Sequence, residues 1–187
     1  MHSIYTSDLP MQSTKDYTWL KNLLVVLGAS ALLCLTALIS IPLPFTPVPI
    51  VFSLQMILFF SVWLGRRGFL ATLSYLGVGA MGLPVFAGGA GSVAAFMGPT
   101  GGYLVGFALA SLLVAYFSER MEKKSHAKIF GLMLLGNGLV YLFGVPHLAL
   151  FVGWDRAIAL GLIPFVGGGV VKLMLAHQAL RKVGFFK

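Results

Sequence analysis

Charge is what this chain of 187 residues has least of. Asp, Glu, Lys and Arg make up 10% of it, whereas a soluble domain carries about a quarter. A water-soluble fold of this length has too much surface to cover with so few charges. Disorder is excluded too, because 58% of the residues are hydrophobic and 13% aromatic, and disordered chains are polar and poor in aromatics. Cysteine is nearly absent. Cys34 stands alone inside an apolar run, so no disulfide framework organises the chain. What remains is an integral membrane protein, in keeping with a mean hydropathy of +0.93.

The shortage of charge is also local. No charged side chain lies between Lys21 and Arg66 or between Arg67 and Glu119, and Ile129–Trp154 and Ala157–Val171 are equally quiet. A helix crosses a bilayer with about 20 mostly apolar residues. The quiet stretches hold six such segments, expected at Asn22–Ile41, Ile50–Gly65, Gly68–Leu83, Gly102–Ser118, Ile129–Phe151 and Pro164–Leu180.

The charges that do occur alternate between connections. Lys15 and Lys21 precede the first segment, Arg66 and Arg67 separate the second from the third, and Arg120, Lys123, Lys124 and Lys128 separate the fourth from the fifth. Arg181, Lys182 and Lys187 follow the last, which puts eleven of thirteen basic residues on one side. The fifth-to-sixth connection holds only Asp155 and Arg156, and the other two hold no charge. Short loops rich in Lys and Arg stay cytoplasmic. The expected fold is therefore an all-α integral membrane protein, a six-helix transmembrane bundle with both termini inside. Residues 1–21 form a cytoplasmic N-terminal tail and residues 22–187 a single membrane domain. The tail sets the first segment too deep for a standard cleaved signal peptide. The net charge of +8 follows from topology, so the partner it implies is membrane lipid and no nucleic acid.

The two long outer connections are apolar and full of punctuation. Residues 41–50 contain Pro42, Pro44, Pro47 and Pro49; alternating prolines hold the backbone extended and remove N–H donors, giving a stiff strap. The second connection runs from Gly82 through Pro84, Phe86, Gly88, Gly89, Gly91, Phe96 and Pro99 to Tyr103. Two readings are open: a plug for the outer end of the bundle, or the lid and floor of a small-ligand site. Glycines let backbone groups approach a ligand closely, and pockets combine apolar walls with a few placed polar groups.

No Asp or Glu lies within any expected span, which removes paired-carboxylate chemistry and acidic proton relays. No Cys, His or Asp spacing suggests a metal or a nucleophile. The expectation is a protein that is not an enzyme and that carries no cofactor or metal. Gly77-Val78-Gly79-Ala80-Met81-Gly82 fits G-x-G-x-x-G literally, but it ends an apolar helix and lacks the strand that the dinucleotide motif requires. Gly102, Gly106 and Ala110 form a small-residue ridge suited to close helix packing. The buried polar candidates within the spans are Gln55, Asn137, His147, Lys172 and His177. The two histidines read as interfacial side chains with local hydrogen bonds.

Lys172 differs. A lysine at a helix centre is about 2.5–3.5 kcal/mol unfavourable on insertion scales. Without an acidic partner in its own bundle it must lose its proton, reach water or meet an anion. It follows Pro164 and Gly167–Gly169, where an interrupted helix can expose backbone to a cavity. Snorkelling toward the inner boundary is one account; binding an anionic or strongly hydrogen-bonding small solute is the other.

Several of these segments together resemble the BioY family of biotin transporters. They are Pro42-Leu43-Pro44-Phe45-Thr46-Pro47-Val48-Pro49, Arg66-Arg67-Gly68, Gly82-Leu83-Pro84-Val85-Phe86-Ala87-Gly88-Gly89, Gly98-Pro99-Thr100-Gly101-Gly102-Tyr103-Leu104, Tyr141-Leu142-Phe143-Gly144-Val145-Pro146, and Pro164-Phe165 with Lys172. The resemblance covers about Leu24 to Ala179. It implies a multi-pass protein of the bacterial cytoplasmic membrane, the substrate-binding S component of an energy-coupling factor (ECF) transporter. Such a component captures biotin outside and works with a coupling protein and two ATPase subunits. By resemblance, Lys172 belongs to the binding site together with Phe86, Ala87, Gly88, Gly101, Tyr103 and Tyr141.

One position departs from the pattern. The family usually carries an Asp three residues before this lysine, and here Gly169 stands there. Losing one charged hydrogen bond costs about 1.5–3 kcal/mol, enough for about tenfold in affinity. Another acceptor compensates, a water fills the place, or the ligand differs. The alternatives are therefore the same transporter class with a biotin precursor or another small carboxylate, or a non-transporting structural subunit. The second-span Ser53-Leu54-Gln55 is displaced from the family's Thr-Leu-Gln, which makes Gln55 a weak candidate.

Overall fold

Long runs dominated by Leu, Val, Ala, Gly and Phe, with few polar residues among them, leave the backbone no better way to satisfy its N–H and C=O groups in lipid than helix. The structure, a computed structural model, describes residues 17–41, 44, 46–122 and 124–186. The chain runs α1 (Thr18–Leu38), β1 (Ser40–Ile41), β2 (Ile50–Val51), α2 (Ser53–Leu64), α3 (Arg66–Ala80), a 3₁₀ turn (Ala87–Gly89), α4 (Ala94–Met97), α5 (Gly101–Arg120), α6 (His126–Val152), α7 (Trp154–Gly161) and α8 (Ile163–Lys182). Three of these helices, α1, α5 and α6, are long and apolar enough to cross a membrane. Their outer faces present bare hydrocarbon, with Leu23, Leu24 and Leu27 of α1 and Leu134, Leu135 and Leu142 of α6 exposed. A water-facing surface rarely carries so many.

Several boundaries differ from expectation. α1 begins four residues early, inside the expected tail, of which residues 1–16 lie outside the described residues. α2 starts at Ser53 because residues 50 and 51 pair instead with β1, just beyond α1, in an antiparallel ladder of Ser40 with Val51 and Ile41 with Ile50. The strap is thus anchored at both feet; its Pro42, Leu43 and Phe45 lie outside the described residues. The third-to-fourth connection contains α4 and the 3₁₀ turn, and the fifth-to-sixth connection folds as α7. α8 is not interrupted at its glycines. Pro164 sits in its first turn, where a missing N–H breaks no helical bond.

Small residues set the packing. A Cβ on Gly106 would approach the Val140 Cα to 2.8 Å, and one on Gly136 would meet Val114 at 2.7 Å and Leu58 at 2.8 Å. The Gly102–Gly106–Ala110 ridge is therefore filled by α6. Where α2, α3 and α5 meet, the buried hydroxyls of Ser61 and Ser111 lie 2.7 Å apart, and Ser111 donates to Thr72 Oγ1 at 3.0 Å. Interhelical hydroxyl bonds of this kind hold helices together where burial of apolar surface cannot.

Charged side chains gather at one pole. The N-terminal end of α1, the α2–α3 turn and the C-terminal end of α5 border a shallow groove with Trp19, Arg66, Arg67, Glu119 and Lys124. Glu119 accepts the Arg66 backbone N–H at 2.7 Å, and Lys124 stands over the Phe185 ring at 4.2 Å.

Candidate functional site

At the other ends of the same helices lies a cavity of about 530 Å³. Its walls come from the start of α2 (Ser53, Leu54, Gln55), α5 (Tyr103, Leu104, Phe107), α6 (Val140, Tyr141) and α8 (Phe165, Gly169, Lys172). The strap residues Thr46, Pro47, Val48 and Pro49, together with Ala87 and Gly88 of the 3₁₀ turn, complete it.

Each covering segment is tied down by a bond to another element. Thr46 donates to the Leu160 carbonyl at 3.0 Å and accepts the Val48 N–H at 3.2 Å, which fixes the strap to α7. The Gly88 N–H donates to Ser40 Oγ at 3.1 Å. This glycine has φ of +71°, a conformation that residues with a Cβ adopt at a cost. Tyr103 donates its hydroxyl to the Gly161 carbonyl at 3.0 Å. Phe86 stacks edge-on against Tyr75 at 5.6 Å and against Phe96 at 5.8 Å, and its ring fills the space that a side chain at Gly79 would need.

Among the described residues, Lys172 is the single charged residue of the lining. Its ammonium donates to the Val51 carbonyl at 3.0 Å, the residue that closes the β1–β2 ladder. An ammonium has three N–H donors, so this contact fixes its position and leaves donors for a ligand. Snorkelling does not describe it: the side chain reaches into the cavity pole, away from Arg181. The site as built has aromatic and aliphatic walls, one cation and a few neutral polar groups. That suits a small solute with an apolar body, a carboxylate and hydrogen-bonding groups.

Seven of the eight residues expected in a site border this one cavity: Phe86, Ala87, Gly88, Tyr103, Tyr141, Gly169 and Lys172. Gly101 does not. Its Cα packs against the Phe96 carbonyl, and a Cβ there would stand 3.0 Å from His147 Nε2. His147 itself bonds the Gly98 carbonyl at 3.0 Å, a tertiary contact from α6 to the segment before α5 and not the local bond expected. His177 lies at the charged pole beside His126, Phe130 and Phe186. Sequence reasoning missed Thr46 and Val48, whose positions depend on how the strap folds back, and Phe107 and Val140, which look like ordinary core. It undervalued Gln55, which borders the cavity. Among the described residues no three His, Cys, Asp or Glu side chains come together as metal ligands.

Comparison with known proteins points the same way. The BioY family model matches residues 8–185. The biotin transporter BioY of Thermotoga maritima is 39% identical over 149 residues, 79% of this chain and 86% of that protein. The biotin transporter BioY of Rhizobium etli is 36% identical over 180 residues, 91% of this chain and 94% of that one. A crystal structure of the S-component for biotin from an ECF-type ABC transporter superposes with a TM-score of 0.82, covering 91% of this chain and 94% of its own at 24% identity. At that identity the likeness is one of fold.

Proposed function

The chain belongs to the BioY family, and on that premise we propose that it is the membrane component that captures biotin and supports its uptake. The observation that carries this reading is the single cation, Lys172, held by the Val51 carbonyl at 3.0 Å on the wall of a cavity of about 530 Å³. Biotin has an apolar bicyclic ring, a ureido group with two N–H donors and a carbonyl, and a carboxylate on a flexible chain. The ring would lie among Phe86, Tyr103 and Tyr141, with the carboxylate on Lys172. The backbone of Ala87 and Gly88 would close over it. Gly101 acts behind the site, holding the start of α5 against the Phe96 backbone.

We read α1, α2, α3, α5, α6 and α8 as six spans, with both termini inside and the cavity facing out. The collection of Arg66, Arg67 and Lys124 at the pole opposite the cavity supports that orientation under the positive-inside rule. The membrane is then the bacterial cytoplasmic membrane. The partners are a transmembrane coupling protein and two ATPase subunits, which would drive release inward. α1, with its exposed leucines, is free to meet lipid or the coupling protein, whereas the α5 ridge is occupied by α6. The relatives named above carry biotin in their names, so a precursor or another small carboxylate is not favoured.

Equilibrium binding of radiolabelled biotin to the purified protein, beside Lys172→Ala, tests the reading. Saturable binding that is lost in the variant is the expected result. A native protein that binds no biotin while remaining folded would overturn it.

A further inference from the structure

Two buried polar groups, one lining the cavity and one behind its wall, have no role in the account above. Gln55 on α2 and Asn137 on α6 are 2% and 5% exposed, and the side-chain oxygen of each has no hydrogen-bond partner among the described residues. Gln55 borders the cavity directly. Asn137 stands behind Gly169, where a Cβ would lie 4.0 Å from Asn137 Nδ2 and 3.5 Å from the Tyr141 hydroxyl. A buried acceptor left unpaired costs about 1–3 kcal/mol, and folded proteins retain few of them without a reason. The third such atom, His177 Nδ1, belongs to the ring cluster at the other pole.

The lining contains no Asp or Glu among the described residues. A ligand N–H entering this cavity therefore meets neutral acceptors only. The geometry points to Gln55 Oε1 and Asn137 Oδ1 as the acceptors for the two ureido N–H groups of the ligand, in a site whose position 169 offers no side chain. The inference rests on the biotin reading and specifies how its head group is recognised. Neutral acceptors suit this cavity for a second reason. A carboxylate three residues before Lys172 would lie on the same helix face and compete for its ammonium, whereas amide oxygens leave that charge to the ligand carboxylate. Asn137 does not line the cavity itself; its amide lies behind Gly169 with Nδ2 the nearer atom, so a flip of the amide, which exchanges oxygen and nitrogen, turns Oδ1 toward the gap left by the missing side chain.

The test uses the full chain, purified, with biotin and with biotin methylated on one ureido nitrogen. Gln55→Leu and Asn137→Leu should each weaken biotin binding by about tenfold or more. Gly169→Asp in the Asn137→Leu background should restore most of it, since contacts at 169 leave room for a side chain. Methylation should weaken binding to the native protein by about tenfold and change binding to the matching leucine variant far less, because the bond it removes is already gone. Leucine variants that fold and bind biotin within about twofold of native, or methylation that acts equally on native and variants, would overturn the inference while leaving the biotin reading intact. If neither leucine variant folds, the native protein decides the matter: equal affinity for the two ligands overturns it. A native protein without biotin affinity overturns both readings at once.

Discussion

The two poles of this bundle are made of the same helices and obey different physics. At one pole Arg66 and Glu119 meet across 3.6 Å with side chains 87% and 41% exposed, in a groove open to water. At the other, Thr46, Tyr103 and Lys172 each reach a backbone carbonyl of a different element at 3.0 Å, in an apolar cavity. Water screens the first set and competes with it, so its contacts are individually weak. The second set works where an unpaired donor or acceptor has no alternative partner. Charge at the exposed pole meets water; polarity at the cavity pole sets which groups a ligand would meet.

That contrast breaks most sharply at Lys172. Lys172→Ala should weaken biotin binding by about 10- to 100-fold, the range of a charge-assisted hydrogen bond of 1.5–3 kcal/mol. The ligand-free melting temperature in detergent should hardly move, because the variant also removes a cation from an apolar wall. A large fall in melting temperature would mean that Lys172 mainly fastens α8 to the strap through Val51. Next in size is Thr46→Val, which keeps shape and deletes both hydroxyl bonds of the strap. Biotin affinity should fall by about 5- to 10-fold, from roughly 1 kcal/mol of strap closure, with faster release. An unchanged dissociation rate would show that the strap does not cover the ligand. Tyr103→Phe removes the bond to the Gly161 carbonyl and should lower the melting temperature by about 2–4 °C, as expected for about 1 kcal/mol in a chain of this size. No change would mean that Gly161 finds another donor.

The poles also differed in how well the residues announced them. The charged pole was legible because basic residues cluster at intervals that no soluble chain would use. Lys172 and Phe86 stood out because each is costly where it stands: a cation in an apolar helix, an aromatic ring in a glycine-rich loop. Gly101 falls outside the cavity lining for a plain geometric reason. It lies two residues from Tyr103, and two residues turn an α-helix by about 200°, so the ring faces the cavity and the glycine faces Phe96. Thr46 and Gln55 were obscure because their value depends on tertiary folding-back of the strap onto α7 and α2. Nor did Trp154–Gly161 look like a helix of its own; eight residues containing Asp155 and Arg156 read as a connector between apolar runs.

The smallest effect sharpens the comparison from the other side. Glu119 does two things for the exposed pole: it accepts the Arg66 N–H at 2.7 Å, at the first residue of α3, and it pairs with the Arg66 side chain. Glu119→Gln keeps an acceptor for the N–H and removes only the charge. Stability should change by no more than about 0.5 kcal/mol, the usual worth of an exposed pair, and any change should fade in high salt. Glu119→Ala, which leaves the α3 terminus uncapped, should cost about 1 kcal/mol. Neither should alter biotin affinity. A shift of more than about twofold in Glu119→Gln would mean that the charged end communicates with the cavity through the α2–α3 turn, and the two poles would have to be treated as one device.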